Sequence, residues 1–352
     1  MKFIHTADLH LGAKNEAKLS PDRAKLRRAE LLSTFERIAE LAECEGAAVL
    51  IAGDLFDTSH PTRRTVGAVI ATMRRHPAVR FFCLPGNHDG GEFPSADLPE
   101  NLFLFGKELT KYTVSDVDIY GISNPDATFY DALCPDPERK SILLLHGTAK
   151  EGGTHEAGSI VLSRLAGRGI DYLALGHYHL HRITALDERG VCAYSGTPEG
   201  RGMDEAGECG VLLIDTADAP ICPRFIKTAR RTVHRTSLPV TQDAAETERH
   251  LRDLLAGIPR EDIVRVELVG RIPPDTTRPN TERLTELFGK SFFYLEICDR
   301  TRIDIRPEQY ADSLTLKGEF VRRVMAAGLN EAERDAILQA GLAALRGEED
   351  EV

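Results

Sequence analysis

At 352 residues the chain exceeds one average domain, so about two are expected. Its 42% hydrophobic and 28% charged residues exclude a disordered chain, and no apolar run reaches the roughly 18 residues of a membrane helix. A net charge of −11 argues against nucleic-acid binding by overall charge, and seven scattered cysteines without a CxxC pair argue against a disulfide framework or thiolate zinc site, which fits a reducing cytoplasm.

The N-terminal MKFIHTADLHLG opens on a short strand pattern and carries Asp8 and His10 where a signal peptide would keep its apolar stretch. Residues 22–44 follow with Leu31, Leu32, Phe35, Ile38, Ala39 and Leu41 at helical spacing, and Gly46 supplies the stop. AAVLIAG predicts a second strand, residues 62–76 a second helix, and RFFCLPG, SILLLHG and DYLALG three more strands. This alternation of strand and helix predicts an α/β layered core.

After about residue 215 the pattern changes. A TADAP turn leads into residues 219–242, which hold Arg224, Lys227, Arg230, Arg231 and Arg235 and no acid. Such a window reads either as a nucleic-acid contact or as an ordinary solvated strand pair. Then come a helix pattern over 243–256, the strand IVRVELVG, the linker PPDTTRPN, a helix near 282–288 and the strand SFFYLEI, together a small α+β unit. Asn330 with Glu333 predicts a capping box, and Ile337, Leu338, Leu342 and Leu345 an apolar stripe, before the GEEDEV tail, expected to be disordered. The stripe has two readings: packing on its own domain, or docking a partner.

Each apolar run of the first part ends in a cluster of metal-type residues: Asp8 and His10, Asp54 and Asp57, Asn87 with His88 and Asp89, His146, and His177 with His179. In open α/β sheets, sites form outside the carboxyl ends of the strands, so five such ends can converge on one crevice. One Asp-x-His block means little; five blocks holding five of twelve histidines point to a metal site. Carboxylate, amide and imidazole without thiolate suit manganese, with magnesium, iron or zinc as alternatives, better than calcium. The ligands exceed the needs of one ion, and two divalent ions sharing a carboxylate suit phosphoester hydrolysis.

The blocks D-x-H, G-D-x-x-D, G-N-H-D, H and G-H-x-H resemble the calcineurin-like metallophosphoesterases. More narrowly, HTADLHLG, AGDLFDT, LPGNHD and YSGTPEGR resemble SbcD-type DNA-repair nuclease subunits, especially their YhaO-like relatives. The specific likeness spans residues 1–215, with a looser match at LKGEFVRR. It implies a layered β-sandwich core flanked by helices, with a smaller C-terminal α+β capping domain. It also implies that Asp8, His10, Asp54 and His179 hold one metal, that Asp54 bridges to a second held with Asn87, His146 and His177, and that His88 stands uncoordinated beside the scissile phosphate. The implied reaction is phosphodiester hydrolysis by a hydroxide generated between the two ions, in DNA repair or DNA-end processing. His88 suits a proton donor because imidazoles exchange protons near neutrality.

The remaining polar residues divide. Asp89 either orients His88 or caps a turn. Asp57 reads as support for the metal ligands, with a structural turn as alternative. Arg201 reads as a phosphate donor or a surface residue. Arg224, Lys227, Arg230 and Arg231 are the candidate DNA contacts. His5 is expected to be a core histidine, His60, His76, His155, His234 and His250 to be solvated, and His181 to line the crevice rim or face solvent, with Tyr178 directed away between the two ligands of GHYHLH.

The expected organisation is a dimetal nuclease domain over 1–215, a capping and DNA-binding domain over 216–310, and a helical segment with an acidic tail over 311–352. Thr58 stands where protein phosphatases of the superfamily carry an arginine, and GNHD replaces their GNHE, which favours a nuclease. The alternative is a small-molecule or cyclic-nucleotide phosphodiesterase. The likeness further implies DNA and an SbcC-type coiled-coil ATPase as partners, and a homodimer with helix 62–76 as its candidate surface.

Overall fold

A computed structural model of the chain describes residues 1–13, 19–90, 93–273 and 276–345. The acidic tail and residues 274–275 of the linker lie outside the described residues. Two compact units divide the chain, Met1–Val233 and His234–Val352. Among the described residues no helix is long and apolar enough to cross a membrane.

The first unit begins β1 (Lys2–Thr6), α1 (Pro21–Glu45), β2 (Ala48–Ala52), α2 (Arg63–Arg75) and β3 (Phe81–Leu84). It continues through β4 (Leu102–Leu104), β5 (Thr110–Val114), β6 (Val117–Gly121), the single turn α3 (Phe129–Ala132) and β7 (Lys140–His146). Then follow β8 (Thr148–Lys150), β9 (Ser159–Val161), β10 (Tyr172–Gly176), β11 (Arg182–Ala185), β12 (Val191–Tyr194), β13 (Gly210–Asp215) and β14 (Arg224–Lys227). Local chemistry sets the helix ends. Pro21 opens α1, left-handed Gly46 closes it, and the Thr62 hydroxyl accepts the Thr65 N–H at the start of α2.

Two six-stranded sheets form, ordered β14-β13-β1-β2-β3-β4 and β11-β12-β10-β7-β6-β5. Alternation along the strands builds three cores. Phe3, Leu50 and Phe82 of the first sheet meet Ile119, Ile142, Leu144 and Ala174 of the second, so the sheets pack face to face. On the outer face of the first, Ile4, Val49, Ile51 and Phe81 lie under Phe35 and Ile38 of α1 and Val69 and Met73 of α2. Leu143, Leu145, Leu173 and Leu175 line the outer face of the second beneath Phe129 and Tyr130. Each fully buried side chain of this size contributes about 1.5–3 kcal/mol. This is the mixed α/β sandwich the resemblance implies.

β1, β2 and β3 run parallel, as do β7 and β10, so five strand ends open on the same edge of the sandwich. His5 is fully buried in β1, with Nδ1 2.9 Å from the Tyr172 hydroxyl, as a core histidine should be. His76 departs from its solvated expectation. It is 8% exposed, and its Nδ1 lies 2.8 Å from Glu43, because the end of α2 packs beside α1.

From His234 on, the second unit holds all but the first residue of β15 (Val233–Pro239), then α4 (Ala244–Ala256), β16 (Ile263–Ile272), α5 (Thr281–Gly289), β17 (Tyr294–Ile303), α6 (Leu316–Ala326) and α7 (Glu331–Ala344). Its sheet is ordered β15-β16-β17, with β16 and β17 parallel and α5 as their crossover. Leu251, Leu255 and Leu284 of the helices pack on Val264, Val266, Leu268 and Ile297. The capping box at Asn330 and Glu333 is present. Leu338 and Leu342 of the α7 stripe are buried against Val321 and Val324 of α6 and Ile303, whereas Ile337 is exposed.

Candidate metal centre

The five motif blocks stand where β1, β2, β3, β7 and β10 end. Of six non-glycine residues with positive φ among the described residues, four lie here: Asp8, His10, Asp54 and His177. L-residues avoid that region, so the surrounding structure holds these four in a costly conformation, and such strain gathers at functional sites. The motif glycines give the ligands room. A Cβ on Gly53, which also has φ +91°, would come within 2.2 Å of His146 Nδ1, and one on Gly86 within 2.2 Å of Asp54 Oδ1.

Asp54 occupies the middle. Its Oδ1 accepts the His88 N–H at 2.9 Å, while Oδ2 lies 3.3 Å from His146 Nε2 and 3.7 Å from His10 Nε2. The ligand atoms of Asp8, His10 and His179 fall within 4.8 Å of one another, as do those of Asp8, Asp54 and His146. Asn87 Oδ1 is 2.9 Å from His146 Nε2 and 3.2 Å from His177 Nδ1. The His177 N–H donates to both Asp8 carboxylate oxygens at 3.0 Å, tying the end of β10 to that of β1.

These donors fit divalent cations. Both ring nitrogens of His10 are buried without a hydrogen-bond partner, although Nδ1 comes within 3.2 Å of Asp57 Oδ1. His146 Nδ1 donates to the Ala52 carbonyl at 2.9 Å, which turns Nε2 toward the Asp54 carboxylate, where it donates a proton to that oxygen without a cation and would offer its lone pair to one. Carboxylate oxygens and imidazole nitrogens gathered this closely could hold a metal ion.

The electrostatics carry the same strain. Burial pushes the Asp8 carboxyl up to about 6 and the His10 imidazole down to about 3. At Asp54 burial opposes the charge, but the hydrogen bond and charge of His146 outweigh it and hold the carboxyl at about 2. His146 is correspondingly raised: burial disfavours its charge, and the Asp54 hydrogen bond prevails. His177 is lowered by burial and by the neighbouring His146.

Around the centre, His88 is exposed, and its Nδ1 lies 3.2 Å from the Asp57 carbonyl. Asp89 does not orient it. The Asp89 carboxylate accepts the backbone N–H groups of Phe56 at 2.7 Å, Gly86 at 2.9 Å and Leu55 at 3.2 Å, capping the turn that carries Asn87. Adjacent side chains here point apart, and the backbone carbonyl of Asp57 takes the orienting place. Arg201 reaches the site half-buried and already engaged, with Nη2 2.8 Å from Glu205 and Nη1 3.4 Å from Asp57.

Arg231 is a clear correction to the expected DNA contacts. It is 7% exposed and paired with Glu30 at 2.5 Å, in a buried network with Arg27 and Glu199. Arg224, Lys227 and Arg230 are exposed. His181 is exposed and stacks on Phe225 at 4.5 Å between ring centroids.

One residue escaped the sequence reading. Glu205, 2% exposed, sets Oε1 2.8 Å from His179 Nδ1. That bond raises His179. Although burial opposes the Glu205 charge, His179 and Arg201 hold its carboxyl at about 2. Glu205 ends a short 3-10 turn, Met203–Glu205, outside the five motif blocks, and only its acidity in GMDE hinted at a role.

The calcineurin-like phosphoesterase family profile matches residues 1–181. The DNA double-strand break repair protein Mre11 of Sulfurisphaera tokodaii is 28% identical over 242 residues, 62% of this chain and 61% of that protein. The Mre11 of Saccharolobus solfataricus is 24% identical over 340 residues, 90% of this chain and 83% of the relative. An uncharacterized metallophosphoesterase of Bacillus subtilis, YhaO, is 27% identical over 247 residues, 64% of this chain and 60% of its own length. The chain thus spans about three fifths of the first and third of these relatives.

Proposed function

The chain belongs to the calcineurin-like phosphoesterase family and is a metallophosphoesterase; on that premise we propose that it is a metal-dependent DNA nuclease of DNA repair or DNA-end processing. The observation that carries the reading is Asp54 Oδ2, which faces His10 on one side and His146 on the other as a carboxylate shared by two ions would. Asp8, His10, Asp54 and His179 would hold one ion, and Asp54, Asn87, His146 and His177 the other. Manganese is the preferred metal. When bound, two such cations supply Lewis acidity toward a phosphoryl oxygen and acidify water for attack on phosphorus.

The protein's own groups do the rest. Asp8 spans from the His10 and His179 side of the centre to the His177 backbone, which fixes where both ligand sets meet. Asp57 and Glu205 stand behind His10 and His179 and orient the rings. His88 donates Nδ1–H to the Asp57 carbonyl, so in the imidazolium form its Nε2–H is free to pass to the departing sugar oxygen, leaving the neutral Nδ1–H ring.

DNA rather than a small ester is favoured by the openness of the centre. Asn87, His88 and His177 are exposed, so a polymer backbone can lie across them. The relatives named for DNA double-strand break repair support the same choice. Exposed Arg224, Lys227 and Arg230 offer phosphate contacts that offset the acidic total locally. An SbcC-type coiled-coil ATPase and a homodimer complete the reading, on the likeness to SbcD-type nucleases. Its test is manganese-dependent digestion of end-labelled single-stranded, duplex and hairpin DNA, beside cyclic nucleotides. Cleavage of the DNA supports the nuclease; turnover of cyclic nucleotides alone rejects it.

A further inference from the structure

Tyr178 lies between two of the metal-site histidines in sequence, yet the residue is 49% exposed. It packs edge-to-face with Tyr194, with ring centroids 5.7 Å apart and planes at 69°. Tyr194 is itself fixed: its hydroxyl donates to the Gly147 carbonyl at 2.8 Å and accepts the Ala149 N–H at 2.8 Å, and only 8% of it is exposed. An aromatic ring is thus held firmly beside the metal centre with much of its surface open to solvent. Directly across the antiparallel β11–β12 pair from Tyr194 stands Arg182, so the two side chains share a face of the sheet. Arg182 is exposed, and among the described residues it forms no ion pair, unlike Arg201 and Arg231 nearer the core.

We propose that Tyr178 and Arg182 form a nucleotide subsite beside the metal centre, in which the open surface of Tyr178 stacks an unpaired base and Arg182 takes a neighbouring phosphate. The inference rests on the nuclease reading and narrows its substrate to strands whose bases near the cut are unpaired. Bases inside a duplex are already stacked on one another and offer Tyr178 no free face, whereas every unpaired base does. Arg182 adds a cation that needs no release from a carboxylate before it meets a phosphate.

The test uses fluorescence anisotropy of labelled oligothymidylate and of a blunt duplex, with metal-free full-length protein across a range of salt. Tyr178→Ala is expected to weaken oligothymidylate binding about tenfold and leave duplex binding nearly unchanged. Tyr178→Phe should bind like the wild type, since the ring and not the hydroxyl makes the contact. Arg182→Gln should lower the slope of log affinity against log salt by about one. Melting curves confirm that each variant folds. Wild-type affinity in Tyr178→Ala, or a loss in Tyr178→Phe equal to that in Tyr178→Ala, overturns the subsite. A separate outcome addresses the underlying reading: wild-type protein that binds neither DNA yet hydrolyses methyl p-nitrophenyl phosphate with manganese is no nuclease, and the subsite falls with it.

Discussion

Glu205 Oε1 lies 2.8 Å from His179 Nδ1, beneath a ring that faces Asp8 and His10 from its other side. A carboxylate behind a histidine fixes its tautomer and orientation and makes it a better metal donor. Glu205→Ala should therefore weaken manganese binding by about 10–100-fold, with Glu205→Gln between it and the wild type. Titration calorimetry on the metal-free proteins measures this. Unchanged affinity in a folded Glu205→Ala variant would rule out the orienting role.

Arg231 provides the contrasting case of a cation whose work is structural. It and Arg27 hold Glu30 in the interior, where a carboxylate left unpaired is costly. Breaking a buried pair costs about 3–5 kcal/mol, and Arg27 remains to soften the loss, so Arg231→Ala should destabilise by about 3 kcal/mol. Urea denaturation reads that loss. Arg230→Ala, at an exposed position, should leave the midpoint nearly unchanged. Equal midpoints for the two variants would show that the Arg231 pair does not support the fold.

His5 sets an acid limit on stability. Burial pushes its imidazole down to about 3, while in the unfolded chain it protonates near 6.5. Between those values the unfolded state binds a proton that the folded state refuses, so stability is lost as pH falls below 6.5. The loss approaches 1.4 kcal/mol per pH unit, by roughly the slope of one proton. Asp8, raised to about 6, works in the opposite sense in the metal-free protein, but equally in wild type and variant. His5→Gln should thus flatten the fall in stability between pH 6.5 and about 5. Parallel curves for the two proteins would contradict this origin.

His88→Ala should retain both metal ions and lose about 10²–10⁴-fold in DNA cleavage rate, the usual contribution of a positioned proton donor. Metal titration and digestion of end-labelled DNA check the two halves separately. Normal metal binding with wild-type cleavage would remove His88 from the chemistry.

The legible parts of the molecule were those whose signal is local. Asp8, Asp54, His146 and His177 stand within two residues of strand ends, so an apolar run followed by a ligand type marked each at once. Parallel strands then brought the marks together. The α7 capping box was equally plain, because both partners lie within one turn. Partnerships across the chain were hidden. Arg231 meets Glu30 201 positions away, and nothing near either residue tells a buried pair from a solvated charge. Glu205 comes from a three-residue 3-10 turn, too short for periodicity to show. Asp89 misled through proximity, since the turn directs its carboxylate to backbone N–H groups and away from its neighbour. Short strands such as β4 and β9 carry too few residues for alternation to show.

The shared carboxylate is the centre of the account, and calorimetric titration of manganese into metal-free wild type and Asp54→Asn tests it most directly. Two ions should bind the wild type, and both should weaken together in the variant, because each would lose the same ligand. A variant that loses one ion and keeps the other at wild-type affinity, or a wild type that binds a single ion, would contradict the bridge.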